Sequence, residues 1–160
     1  MSGLSIDFFG TLNNDYGLWT DFLKEIRRDD VKIHVISGPW QTELIDLLDK
    51  AGYNKGEHYD YAHSILSYLA SIGADTFYDE GYDSWYSTQE SWWSAKAEIC
   101  KLHRIQVHLD SDIRFKDSFI DIPTRFVHID KSVRDYIDTI TNIMEAEAED
   151  LDYEESLKMV

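Results

Sequence analysis

Four separated segments of this sequence carry the residue types from which a phosphoryl-transfer site is built. Asp7 supplies a carboxylate, Ser37 a hydroxyl, Gly38 an unhindered backbone N–H, Lys96 a mobile cation and Asp110 a second carboxylate. Two hard oxygen ligands suit Mg²⁺, which keeps several waters and completes its shell with substrate phosphate. A hydroxyl, an amide N–H and an ammonium suit the oxygens of a phosphoryl group. If the segments converge, Asp7 can attack phosphorus and form an aspartyl-phosphate.

The elements around these residues predict that convergence. Leu4 to Asp7 reads as a strand running into a Phe8-Phe9-Gly10-Thr11 turn, and Leu18 to Arg28 has helical apolar spacing. Val31 to Ile36 alternates β-branched residues and stops at Ser37-Gly38-Pro39, while Gln41 to Ala51 is a helix closed by Gly52. The periodicity predicts a helix over Tyr61 to Ile72 and a short strand over Ala74 to Tyr78. Ser87-Thr88-Gln89-Glu90 has the form of a capping box, predicting a helix from Thr88 to His103. Ile105 to Leu109 and Arg125 to Ile129 read as strands, and a last helix starts near Val133. Strands alternating with helices predict an α/β fold, a Rossmann-like three-layer sandwich with a mostly parallel central sheet flanked by helices. Ligands of such sheets bind at the carboxyl ends of the strands, where Asp7, Ser37, Asp110 and Asp130 are expected.

Composition narrows the field. The 160 residues include 15 Lys+Arg against 31 Asp+Glu, a formal charge of −16, too acidic to form the broad basic face that coats nucleic acid. With 43% apolar and 14% aromatic residues the chain has ample material for one core. A single domain is expected over 1–144, followed by an acidic tail over 145–160 read as a solvated extension. The lone Cys100 cannot form an internal disulfide and reads as a buried structural thiol, which fits a reducing cytoplasm. No signal peptide and no membrane span are expected. His34 and His108 lie within strand runs and read as packed or hydrogen-bonded core histidines, and His58, His63, His103 and His128 show no ligand spacing.

Ile6-Asp7-Phe8-Phe9-Gly10-Thr11-Leu12 resembles motif I of the haloacid dehalogenase-like (HAD) superfamily, a hydrophobic strand followed by D-x-x-G-T. Val35-Ile36-Ser37-Gly38 is similar to its motif II, Lys96 to motif III, and His108-Leu109-Asp110-Ser111-Asp112 to motif IV; the match spans roughly residues 4 to 130. The resemblance implies a Mg²⁺-dependent hydrolase with Asp7 as nucleophile and Ser37 and Lys96 beside it in the catalytic set. It implies metal contacts from Asp7, the main-chain carbonyl of Phe9 and Asp110, with Asp112 a further candidate ligand or the cap of the next turn. Thr11, Ser37, Gly38 and Lys96 are the implied substrate-binding groups. Lys101 competes for the lysine role but lies about 140° round the helix from Lys96.

One departure matters for the chemistry. Family phosphatases usually carry a second aspartate two residues after the nucleophile as general acid and base, and here that residue is Phe9. General acid–base help is worth typically about 10²–10⁴-fold. The substrate expected is a phosphorylated small molecule or a nucleotide, turned over slowly unless another group substitutes for that aspartate, and the departure points toward another leaving group or a weakened enzyme. The interval between Asp7 and Ser37 has no room for a large helical cap, so a capless or small-cap member is expected. The aromatic segment from Phe77 to Trp93 reads either as a stacking surface for a planar group or as a hydrophobic wall or dimer contact. A competing reading is an acidic binding or regulatory protein that kept the metal site, lost catalysis and engages a basic partner. Carbon–halogen hydrolysis is a third.

Overall fold

Parallel strands covered by helices on both faces must be apolar on both sides, and the β-branched runs of this chain meet that demand. The computed structural model describes residues 2–27 and 30–146. In chain order its elements are β1 (Ser2–Ile6), α1 (Tyr16–Ile26), β2 (Val31–Ser37), α2 (Gln41–Lys50), β3 (Tyr61–Ser64), α3 (Ile65–Ser71), β4 (Thr76–Asp79), β5 (Ser84–Ser87), α4 (Gln89–Leu102), β6 (Val107–Asp110) and β7 (Arg125–His128). A helix α5 follows over the described residues 137–146. Five strands form one sheet in the order β3-β2-β1-β6-β7, and all its pairings are parallel.

Period-two alternation gives the sheet two different faces. Leu4, Ile6, Ile33, Val35, Val107 and Leu109 pack against α1, α2 and α5 through residues such as Phe22, Leu44, Leu48 and Ile140. Ile36 packs on the opposite side with α3, α4 and a 3₁₀ segment at Ile113–Phe119, in a cluster with Ile65, Leu69, Ile99, Cys100 and Phe115. The result is the three-layer α/β sandwich with a parallel central sheet. On the second face the strands also carry buried polar side chains, Ser5, His34 and His108. His34 stacks with His63 at 5.1 Å, and His63 with His103 at 4.3 Å.

Several elements differ from the sequence expectation. Tyr61 to Ile72 is not one helix: Tyr61–Ser64 pairs with β2 as edge strand β3, and Ser64 then caps α3 by accepting from the Ser67 N–H at 3.0 Å. The strand expected at Ala74 to Tyr78 is instead Thr76–Asp79, outside the main sheet, paired antiparallel with β5 in a separate hairpin. The cap of α4 is Thr88 rather than Ser87, whose hydroxyl donates to the Asp75 carbonyl. A short 3₁₀ turn over Val133–Tyr136 precedes α5, so the last helix starts later than Val133. The expected acidic tail lies outside the described residues beyond 146, and residues 145 and 146 still belong to α5. Among the described residues no helix is long and apolar enough to cross a membrane.

Candidate active site

The chain runs from β1 to β2 on one side and returns to place β6 on the other, so the strand order reverses between β1 and β6. Clefts outside the carboxyl ends of parallel strands at such a switch point are where α/β folds bind ligands. The β1–β6 register aligns Ser5 with His108 and Ile6 with Leu109, and the Asp7 N–H extends the ladder to the Leu109 carbonyl at 3.0 Å. Asp7 therefore stands beside Asp110, and alternation puts Ser5, Asp7, His108 and Asp110 on one face. Helix α4 crosses that face and delivers Lys96, whose Nζ lies 3.1 Å from Asp7 Oδ1 and 2.6 Å from Asp110 Oδ2. The Phe115 ring covers the ammonium at 3.9 Å. Lys96 is 2% exposed and Asp110 0%, whereas Asp7 keeps 6%. Lys101, the competing lysine, is exposed.

One ammonium shared by two buried carboxylates leaves a net negative charge, and the two acids divide it unequally. Burial pushes the Asp7 carboxyl up to about 6; Lys96 opposes the rise and the neighbouring Asp110 charge adds to it. Burial would raise Asp110 too, but Lys96 and the hydrogen bond from His108 outweigh it and hold that carboxyl well below the usual range. Lys96 would be lowered by burial, yet Asp7 and Asp110 keep it above its ordinary value and charged. Asp110 is thus the compensated partner and Asp7 the under-compensated one.

The loop after β1 presents the rest of the site. Residues Phe8–Leu12 form a wide turn closed by the Leu12 N–H on the Asp7 carbonyl and the Asn13 N–H on the Phe8 carbonyl. Gly10 makes the turn possible: its φ is +74°, and a Cβ there would meet Ser111 Oγ at 2.7 Å. Thr11 is buried and donates its hydroxyl to Ser111 Oγ at 3.2 Å, tying the β1 loop to the β6 loop. The Phe9 ring is 48% exposed and packs edge-on against Phe8. A cleft of about 410 Å³ opens beside this turn, between Thr11, Ser111 and Lys131.

Ser37 is buried at the end of β2, in register with Ser64. Gly38 follows, and a Cβ there would meet the Trp92 ring at 3.0 Å, so the indole lies against this backbone. Trp92 packs on Tyr86, and Trp40 on Trp85 with centroids 5.6 Å apart, so the hairpin sits on the loop that leaves β2. Asp112 caps the 3₁₀ segment and is held by Arg114, whose Nη2 lies 2.8 Å from Asp112 Oδ2. Asp130 accepts from the Tyr136 hydroxyl.

The donor set suits Mg²⁺ in part. Among the described residues no group of three or more His, Cys, Asp or Glu side chains is placed to hold a metal. Mg²⁺ is, however, commonly held by one or two carboxylates with waters and substrate phosphate. Asp7 and Asp110 offer the carboxylates of such a set, and the under-compensated charge on Asp7 favours a cation; the Phe9 carbonyl lies 3.5 Å from Ser111 Oγ, and Asp112 is committed to Arg114. Sequence reasoning passed over His108, which bonds to Asp110 Oδ2 at 2.8 Å. Its signal was its place two residues before Asp110 on the same strand, hence on the same face. Trp92, which covers Gly38, belongs to the aromatic segment read as a stacking surface or a hydrophobic wall, whereas Phe115, which covers Lys96, carried no comparable mark.

No protein-family model matches the chain, and no curated protein is similar to it. Among solved structures it is similar to the crystal structure of an uncharacterized protein from Corynebacterium glutamicum, with 14% identity and a TM-score of 0.55. The likeness covers 89% of this chain and 95% of that one, and at this identity it shows the α/β fold alone.

Proposed function

We propose that the protein is a HAD-like, Mg²⁺-dependent hydrolase that acts on a phosphorylated small molecule, with nucleotides the first class to test. The observation that carries the reading is the pairing of Asp7 and Asp110 at the switch point, with Lys96 Nζ 3.1 and 2.6 Å from them. An Asp7 oxygen attacks phosphorus, forming an O–P bond as the bond to the leaving oxygen breaks; water then hydrolyses the aspartyl-phosphate. Lys96, the Gly38 N–H and the Ser37 hydroxyl bind and orient the phosphoryl oxygens. Asp7, Asp110 and the Phe9 carbonyl would hold Mg²⁺, which when bound offsets the charge of those oxygens. Phe9 carries no proton, so the leaving group takes its proton from solvent.

A phosphate-release screen over nucleotides, sugar phosphates and a chromogenic ester, with Mg²⁺ or EDTA, tests the proposal. Release abolished both by EDTA and in Asp7→Asn is the expected result. Full turnover by Asp7→Asn sinks the assigned nucleophile.

A second reading draws on Phe9, an exposed aromatic ring in place of a proton carrier. In it, the same fold serves as an acidic binding protein for a basic partner. A salt-sensitive complex with a defined basic protein, unchanged in Asp7→Asn, together with silence across the phosphate panel, would favour it.

A further inference from the structure

Behind the two carboxylates runs a buried hydrogen-bond chain that the hydrolytic reading leaves unused. His108 Nε2 lies 2.8 Å from Asp110 Oδ2, His108 Nδ1 lies 2.6 Å from Ser5 Oγ, and Cys100 Sγ lies 3.5 Å beyond. Ser5, Cys100, His108 and Asp110 are all fully buried. An ionised carboxylate can only accept, so the imidazole nitrogen facing Asp110 carries a proton. Full burial favours the neutral ring, so the opposite nitrogen accepts from the Ser5 hydroxyl, whose oxygen faces the Cys100 thiol. The imidazole plane is fixed as well, stacked on Phe119 with centroids 5.3 Å apart and planes within 8°.

We propose that His108 is a positioning residue for Asp110, locked as the Nε2–H tautomer by Ser5 and holding the Asp110 carboxylate in one orientation. Oδ2 receives both Lys96 and His108, at 2.6 and 2.8 Å, whereas Oδ1 receives the Asp112 N–H at 2.9 Å. Oδ1 is thereby the oxygen with a lone pair to spare for a cation. Groups that orient a ligating carboxylate in this way typically matter by about 10–100-fold in metal affinity or activity. The use of Asp110 as a ligand rests on the proposed hydrolytic function; the tautomer and the orientation do not.

The test combines ¹⁵N spectra of the wild-type histidines with two variants. His108→Phe keeps an aromatic ring against Phe119 and deletes the donor, and His108→Gln keeps an N–H within reach of Asp110. The spectra should show His108 as the Nε2–H tautomer. The Mg²⁺ concentration for half-maximal thermal stabilisation should rise about 10-fold or more in His108→Phe and return most of the way in His108→Gln. A His108 protonated on Nδ1, or a His108→Phe variant that responds to Mg²⁺ like wild type, overturns the inference. If His108→Phe does not fold, the wild-type tautomer and the His108→Gln response decide. If the wild type responds to no Mg²⁺ and releases no phosphate, the hydrolytic reading fails, and the ¹⁵N spectra still decide whether His108 is the Nε2–H tautomer that donates to Asp110.

Discussion

Two aspartates share one lysine, yet their replacement should move stability in opposite directions. Native Asp7 holds its proton to about pH 6 while the unfolded chain releases it near 3.8, so the native state binds the extra proton between and loses stability as pH rises. In EDTA, Asp7→Asn should therefore be more stable than wild type above pH 6, by roughly 3 kcal/mol, with the gap closing as pH falls towards 4. Asp110 is depressed instead, so its contribution is present above the unfolded value and lost on acidification. Asp110→Asn, which takes the charged acceptor away from Lys96 and His108, should cost about 1.5–3 kcal/mol at pH 7. Calorimetry of both variants across that range checks the contrast; equal destabilisation by the two would refute the unequal division of charge. Phe9 allows a test of gain. Because its ring is exposed, Phe9→Asp should be tolerated and should raise phosphate release by about 10²-fold or more, and an unchanged rate would mean that proton transfer does not limit this site. The convergence of Asp7, Lys96 and Asp110 was legible because each acid stands at the carboxyl end of a strand and the lysine on the helix that leads into the second of them. His108 was not, because a histidine in an apolar strand looks the same whether or not it holds a neighbouring carboxylate.

At the scale of elements, the wide turn after β1 depends on one backbone conformation. Gly10→Ala would force a side chain into φ +74° and against Ser111, separating the β1 and β6 loops that Thr11 ties. The left-handed backbone alone costs about 1–2 kcal/mol, so the variant should melt earlier and lose activity together; a melting temperature equal to that of the wild type would contradict it. The central strands were readable because β-branched residues recur at every second position and are buried, as Val31, Ile33 and Val35 are in β2. Edge strand β3 was not: four residues that pair on one side only were absorbed into the helical periodicity of α3, and only Ser64 marks the boundary. Of the β4–β5 hairpin, a strand over Ala74 to Tyr78 was expected and overlaps β4, whereas β5 and the pairing escaped for a related reason. Its Phe77, Tyr78 and Trp85 are exposed, so no inward-facing alternation announced the pair.

For the molecule as a whole, the histidine stack sets the behaviour in acid. Burial and the neighbouring His103 lower His34 to about 4, and the same causes lower His63 to about 3. Unfolded histidines take up protons near 6.5, so the unfolded state gains protons that the native state refuses, and stability falls as pH drops below 6.5. Melting temperatures measured in the Asp7→Asn background, where the opposing aspartate is absent, should decline from pH 6.5 to 4, and His63→Gln should flatten the decline. An identical slope in both proteins would assign the acid sensitivity elsewhere.

The position of β1 in the sheet carries one last consequence. It has partners on both edges and helices over both faces, so no partial opening exposes its amides. Hydrogen exchange there should proceed only through complete unfolding, whereas amides of the β4–β5 hairpin should exchange through local opening many times faster. Deuterium uptake followed by mass spectrometry checks the order, and comparable uptake in the two segments would contradict it. If it holds, the carboxylate at the end of β1 is carried by a slow-exchanging segment, and the aromatic rings that pack on Trp40 and Trp92 by a fast-exchanging one.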